Sequence, residues 1–144
     1  MLGVHERTVA RHYRRAGRCP SCAGLKLTAR DMAKIGYLYL QDGRWEGRQI
    51  VPRGYVRAST REQVETGYSP ANVPGGYGYL WWTRKVEGYR AFYAAGYGGQ
   101  FIYVIPELNL VAVIVSEAPG RGEIAPEAPG GLLDYDVVPA VEDE

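Results

Sequence analysis

Ala94-Ala95-Gly96-Tyr97-Gly98-Gly99-Gln100 joins two aromatic and β-branched runs and stands directly ahead of Phe101-Ile102-Tyr103-Val104-Ile105-Pro106-Glu107. Glycines set this close free the backbone for positive φ and for near approach by another group, so the turn is either a bulged hairpin or the wall of a ligand site. No Ser, Cys, Lys or His lies close enough in sequence to act as nucleophile or base. The run reads as one wall of a site whose reacting groups lie elsewhere.

Outward from this turn the chain continues as strands. Residues 77 to 83 alternate, placing Tyr77, Tyr79 and Trp81 on one face and Leu80 and Trp82 on the other. Trp81 and Trp82 are read as core, and Arg84 and Lys85 as a solvated strand end. Glu87-Gly88 marks a turn, residues 89 to 95 pair back, and residues 100 to 105 follow the glycine turn. Beyond Pro106-Glu107-Leu108-Asn109, residues 110 to 115 are apolar at every position, which implies burial on both faces and hence helices on both sides of the sheet.

The helices come from period and punctuation. Thr28 is a good N-cap with Asp31 in the first turn, and Met32, Ile35, Gly36 and Tyr39 follow at helical spacing opposite Arg30, Lys34 and Gln41. This predicts a helix over residues 29 to 41, stopped by Asp42-Gly43. Residues 45 to 51 read as a short hairpin, and Pro52 opens a second helix to about residue 63. Residues 64 to 76 and 118 to 131 are loops by their glycine and proline content, and a third helix is expected over about 132 to 140. The fold class is therefore α+β, an antiparallel β-sheet flanked by helices, with a covering layer that looks incomplete.

With 144 residues, 46% hydrophobic and 23% charged, the chain suits one modest globular domain. A net charge of +1 gives no global field that would favour nucleic acid or a membrane surface as a partner. No apolar run approaches the about 20 residues of a membrane span, and no signal-peptide core follows the basic start. Residues 1 to 22, with Arg7, Arg11, Arg14, Arg15 and Arg18, are expected to be a poorly ordered basic leader; residues 23 to 140 form the domain; residues 141 to 144 end in an acidic tail. Cys19-Pro-Ser-Cys22, with His5 and His12 upstream, lacks the second close pair of a structural zinc site and the strand that precedes a redox C-x-x-C. The cysteines are read as incidental thiols, and neither metal nor cofactor is expected.

The order of motifs resembles one family. Ala23-Gly24-Leu25-Lys26-Leu27-Thr28-Ala29-Arg30-Asp31-Met32-Ala33-Lys34-Ile35-Gly36 is similar to a segment of the serine β-lactamase-like superfamily, which includes class C β-lactamases, penicillin-binding DD-peptidases and related esterases. Gly43-Arg44-Trp45-Glu46-Gly47-Arg48-Gln49-Ile50-Val51-Pro52 resembles the segment that follows, and Tyr77-Gly78-Tyr79-Leu80-Trp81-Trp82 its y-G-Y-g-W-w strand. The glycine turn with Tyr103-Val104-Ile105-Pro106 resembles its G-y-g-G-Q hairpin, and Leu132-Leu133-Asp134-Tyr135 its C-terminal helix. The resemblance spans about residues 23 to 140 in the family's order; the basic leader departs from it, as a truncated or misread start would.

The resemblance implies acyl transfer to a serine held in S-x-x-K, with a tyrosine in Y-x-N and a third motif, K-T-G or H-x-G, on a strand beside it. Neither of the first two motifs occurs here: the residues three after Ser21, Ser59, Ser69 and Ser116 are Gly24, Glu62, Asn72 and Pro119. The third would fall on Ala94-Ala95-Gly96, with its basic residue absent. The resemblance then implies that the backbone N–H of Tyr97 serves an oxyanion hole, and that Ala94, Ala95, Gly96, Gly98, Gly99 and Gln100 border the substrate.

The expected function is the C-terminal portion of such a hydrolase, silent alone, with a small-molecule or peptide substrate in the whole protein. The alternatives are a non-catalytic ligand-binding or accessory domain, or a half that complements a separate N-terminal fragment. An exposed sheet edge would favour self-association and weak stability.

Overall fold

The computed structural model describes residues 27–67, 69, 73–96, 99–116 and 131–142. Helix α1 (Ala29–Leu40) begins where the capping pattern places it. The Thr28 hydroxyl accepts from the Asp31 backbone N–H at 3.2 Å and donates to the Asp31 carboxylate at 2.8 Å. Lys34 and Thr28 together hold that carboxyl below its usual range. Asp42, at φ +52°, and Gly43 end the helix. The strands β1 (Arg44–Trp45) and β2 (Arg48–Gln49) then pair as a short hairpin. Helix α2 (Arg53–Ser59) follows Pro52 and is shorter than the sequence predicts. The Ser59 and Thr60 hydroxyls both donate back to the Val56 carbonyl, at 3.0 and 2.9 Å, and the backbone leaves the helix there.

The strands β3 (Val64–Thr66), β4 (Gly75–Tyr77), β5 (Trp82–Val86), β6 (Tyr89–Gly96), β7 (Gln100–Ile105) and β8 (Leu110–Ile114) form one antiparallel sheet whose spatial order follows chain order. The expected single strand over residues 77 to 83 is instead two strands with a break between them. At the break the Gly78 N–H donates to the Trp81 carbonyl at 2.7 Å, the Tyr79 N–H donates to the Ser59 carbonyl at 2.9 Å, and Leu80 takes φ +65°. The extra residues reset the alternation. Tyr77 pairs with Trp82, their rings 4.7 Å apart on one face, and Trp81 turns to the other.

The two faces carry different layers. Ile35, Tyr39 and Leu40 of α1 pack on Trp81, Phe92 and Val104. Helix and sheet approach so closely that a Cβ at Gly36 would stand 2.6 Å from Val111 and 2.9 Å from Ile102. On the other face Val86, Tyr93, Phe101, Tyr103 and Ile105 meet Leu133 and Val138. These last two belong to a C-terminal segment that runs as a π-helical stretch (Leu132–Val137) into helix α3 (Val138–Glu142). Tyr93 stacks on Tyr103 at 4.8 Å, and Phe101 on Tyr103 at 5.6 Å.

Arg84 corrects the expectation of a solvated strand end. It is buried on the C-terminal-segment face, donating to both Asp134 carboxylate oxygens at 3.0 and 2.6 Å, with its guanidinium 5.5 Å from the Tyr103 ring centre. Alternation on β5 explains it: Arg84 lies opposite Ala91 and shares the face of Trp82 and Val86. Strand β8 also differs from expectation, since its five residues are only half-buried. Among the described residues it forms the sheet's edge, paired to β7 alone. No helix among the described residues is long and apolar enough to cross a membrane.

Two stability outcomes follow from these contacts. Arg84 is 2% exposed and Asp134 21%, so the arginine bears the greater desolvation. Asp134→Asn strands a buried cation and lowers unfolding free energy by about 3–5 kcal/mol, whereas Arg84→Met leaves a partly hydrated carboxylate and costs less; urea unfolding of both variants reads the order. Leu80 is 67% exposed and held at positive φ. Leu80→Gly removes that strain with little lost packing and raises stability by about 0.5–1 kcal/mol, seen as a higher melting temperature.

Candidate active-site wall

The glycine hairpin closes on β6 and β7. Five pairs run from Phe92 opposite Val104 to Gly96 opposite Gln100, so Gly96 and Gln100 are the last paired residues before the turn, and both are exposed. Ala94 is half-buried on the face of α1, and Ala95 half-buried on the face of the C-terminal segment. Tyr97 and Gly98 lie outside the described residues, as do Cys19, Cys22, His5 and His12. Of the seven residues expected at the site, the structure thus brings Ala94, Ala95, Gly96, Gly99 and Gln100 together at one end of the sheet.

Gly99 is the fixed point of the turn. It is buried at φ +78°, and a Cβ there would overlap the Ser116 hydroxyl. That hydroxyl donates to the Gly99 carbonyl at 3.0 Å, tying the turn to a residue two positions past the end of β8. Sequence reasoning weighed Ser116 only as a nucleophile and missed this role. The signal was present in the meander itself, because antiparallel β7 and β8 bring the start of one strand beside the end of the other.

The described serines are committed elsewhere. Ser59 donates to Val56 at 3.0 Å, Ser69 to Val73 at 2.7 Å and Ser116 to Gly99 at 3.0 Å, in each case to a backbone carbonyl. Among the described residues no group of three or more His, Cys, Asp or Glu side chains is placed to hold a metal ion. The arrangement offers backbone and small side chains along a strand end, suited to lining a substrate rather than attacking it.

An antiparallel sheet covered by helices, with a glycine-rich hairpin open at one end, defines an α+β fold of the β-lactamase-like type. The sequence pattern of the family described as Beta-lactamase matches residues 3–136, and the chain belongs to that family. The 6-aminohexanoate-dimer hydrolase of Paenarthrobacter ureafaciens is 29% identical over 101 residues, covering 67% of this chain and 26% of that protein. An uncharacterised protein of Alkalihalophilus pseudofirmus is 29% identical over 97 residues, covering 60% of this chain and 28% of its own length. The solved structure of a putative 6-aminohexanoate-dimer hydrolase from Bacillus anthracis superposes with a TM-score of 0.53 at 34% identity, covering 67% of this chain and 24% of that one. The chain spans about a quarter of the length of the relatives it matches.

The Gly99–Ser116 contact has a double-mutant signature. Gly99→Ala meets both the positive φ and the Ser116 hydroxyl and costs about 2–3 kcal/mol, while Ser116→Ala alone costs about 1 kcal/mol. In the Ser116→Ala background the steric part disappears, so the two losses sum to more than the double variant shows. Chemical denaturation of the four proteins measures the coupling.

Proposed function

We propose that this chain supplies the sheet and the oxyanion-side hairpin of an acyl-serine hydrolase acting on amides or esters, and that it turns over no substrate by itself. What carries the reading is the family match together with the Gly96–Gln100 strand end, where the last paired residues of the hairpin are both exposed. In the complete machinery a serine oxygen attacks the substrate carbonyl carbon, a C–O bond forms, and the C–N or C–O bond to the leaving group breaks as that group takes a proton; water then hydrolyses the acyl-serine. The Tyr97 N–H is the donor we assign to the developing oxyanion, a role that uses only backbone and tolerates the missing basic residue at Ala94. Neither S-x-x-K nor Y-x-N occurs in the chain. An oxyanion donor without its nucleophile forms no covalent intermediate.

Two relatives are named for hydrolysis of the 6-aminohexanoate dimer, which favours a linear amide over a β-lactam ring as the substrate of the whole protein. The test has two arms. The isolated chain, given a chromogenic β-lactam, a p-nitrophenyl ester and the 6-aminohexanoate dimer, is expected to show no turnover and no acyl adduct by intact mass; a serine adduct would sink the claim of silence. In the second arm residues 23–144 replace the matching C-terminal quarter of the Paenarthrobacter ureafaciens hydrolase. The chimera is expected to hydrolyse the dimer, and Tyr97→Pro within it to lower kcat by about 10²–10³. A folded chimera silent toward all three substrates, yet binding them, would instead mark this as a non-catalytic binding domain.

A further inference from the structure

A cleft lies at the opposite end of β6 from the hairpin. It encloses about 730 Å³ between the C-terminal end of α1, helix α2 and the end of the sheet near Arg90 and Pro106, a size suited to a small organic ligand. From Arg90 to Gly96 is about 20 Å along the strand, so the cleft is separate from the site wall described above.

Its lining joins two chemistries. Val56 and Phe92 lie buried beneath the cleft, and the half-buried Tyr39 and Leu40 present its apolar surface. Arg57, Arg61 and Arg90 line the same space and are exposed. Asp42 is the acidic residue in the lining, and it is occupied: the Arg53 guanidinium sits 2.8 Å from one of its oxygens, with Arg57 at 3.9 Å from the other. Arg61 and Arg90 form no ion pair among the described residues.

Two further observations make the positive charge more than incidental. Lys85 lies directly opposite Arg90 in the β5–β6 register, on the face that carries Phe92, and like charges facing across a strand pair repel. The helix-end carbonyls that usually neutralise nearby arginines are already taken: Val56 accepts from Ser59 and Thr60, Ala58 from Gln63, Ser59 from Tyr79, and Tyr37, Leu38 and Tyr39 from residues 41 to 43. Arg61 and Arg90 are thus kept without an ion-pair partner among the described residues, over an apolar floor of half-buried Tyr39 and Leu40. Arginine's planar fork suits a carboxylate, and the floor suits a hydrocarbon body.

We propose that this cleft binds an amphipathic organic carboxylate, its head held by Arg61 and Arg90 with Arg57 nearby, and its apolar body laid against Tyr39 and Leu40. The binding is independent of the hairpin and of any turnover. The Trp81 ring lies 4.6 Å from Tyr39 and 5.2 Å from Phe92, so occupancy has a fluorescence reporter.

The test is calorimetric and fluorescence titration of the full chain with octanoate, octylammonium and inorganic phosphate. Octanoate is expected to bind and change tryptophan emission, with octylammonium and phosphate at least about tenfold weaker because each lacks one half of the recognition. Arg61→Ala/Arg90→Ala is expected to weaken octanoate at least about tenfold without moving the melting temperature, since both side chains are exposed and unpaired. Arg44→Ala/Arg48→Ala, away from the cleft, is expected to bind octanoate as the unaltered chain does. The proposal is overturned if octanoate does not bind, if octylammonium or phosphate matches it, if Arg61→Ala/Arg90→Ala retains full affinity, or if the distant pair of substitutions weakens binding equally.

Discussion

The pairing of β6 with β7 is the constraint on which the remaining structure depends. Its register sets Tyr93 against Tyr103 on one face and Phe92 against Val104 on the other. Both faces are covered, one by α1 and one by the C-terminal segment. A slip of one residue would exchange the two sets and present each helix with the wrong surface. In this sheet neither face can absorb the error, because the α1 face needs the gap filled by Gly36 and the other needs the thickness of stacked tyrosines. The connection between these two strands is the glycine-rich segment, so the candidate site wall lies beside the register that sets the fold.

The C-terminal face carries a polar load that the α1 face does not. The Arg84–Asp134 pair crosses from strand to C-terminal segment beneath Leu133 and beside Tyr103. A well-packed apolar pair would hold two layers together equally well, but a bidentate ion pair is directional and admits one rotation of the segment about its axis. Burial pushes the Tyr103 phenol above its ordinary value near 10.0, while Arg84 pulls the other way. Because the folded state disfavours ionisation there, its stability is intact below pH about 10 and declines as the phenol of the unfolded chain ionises.

Much of this architecture was legible in the sequence, for reasons that particular residues make plain. The Thr28 cap and the helical spacing of Ile35 and Tyr39 located α1 to within one residue, because local capping and amphipathic period agree there. The strands around the glycine turn were legible because apolar alternation and turn residues agree. The break at residues 78–81 was not, since the y-G-Y-g-W-w resemblance has a glycine where this chain has Leu80, and the left-handed turn is held here by hydrogen bonds from Gly78 and Tyr79 that are not a local pattern. Arg84 was misjudged for a related reason. A cation near a strand end is usually solvated, and only Asp134, fifty positions away, makes burial tolerable. The hairpin itself was visible as glycine spacing between two strand patterns, whereas its fastening to Ser116 and the arginine-lined cleft arise from long-range register.

Strand β6 therefore carries two environments with opposite demands. Near Gly96 small residues occupy both faces: half-buried Ala94 and Ala95 and then exposed glycine. Near Arg90 it carries charge at the rim of an apolar floor, and Phe92 between them is the residue that separates the two, packed under Trp81 and Tyr39. A strand braced on both faces transmits little motion along its length, so a ligand in the arginine cleft is expected to stabilise the sheet without altering the geometry at Gly96. The contact that reaches the hairpin from elsewhere in the sheet comes from β8, two strands from β6. β8 has one paired edge and half-buried residues throughout, and its end holds Ser116 against Gly99. A change at the open edge of β8 thus acts on the hairpin more directly than anything bound at the far end of β6.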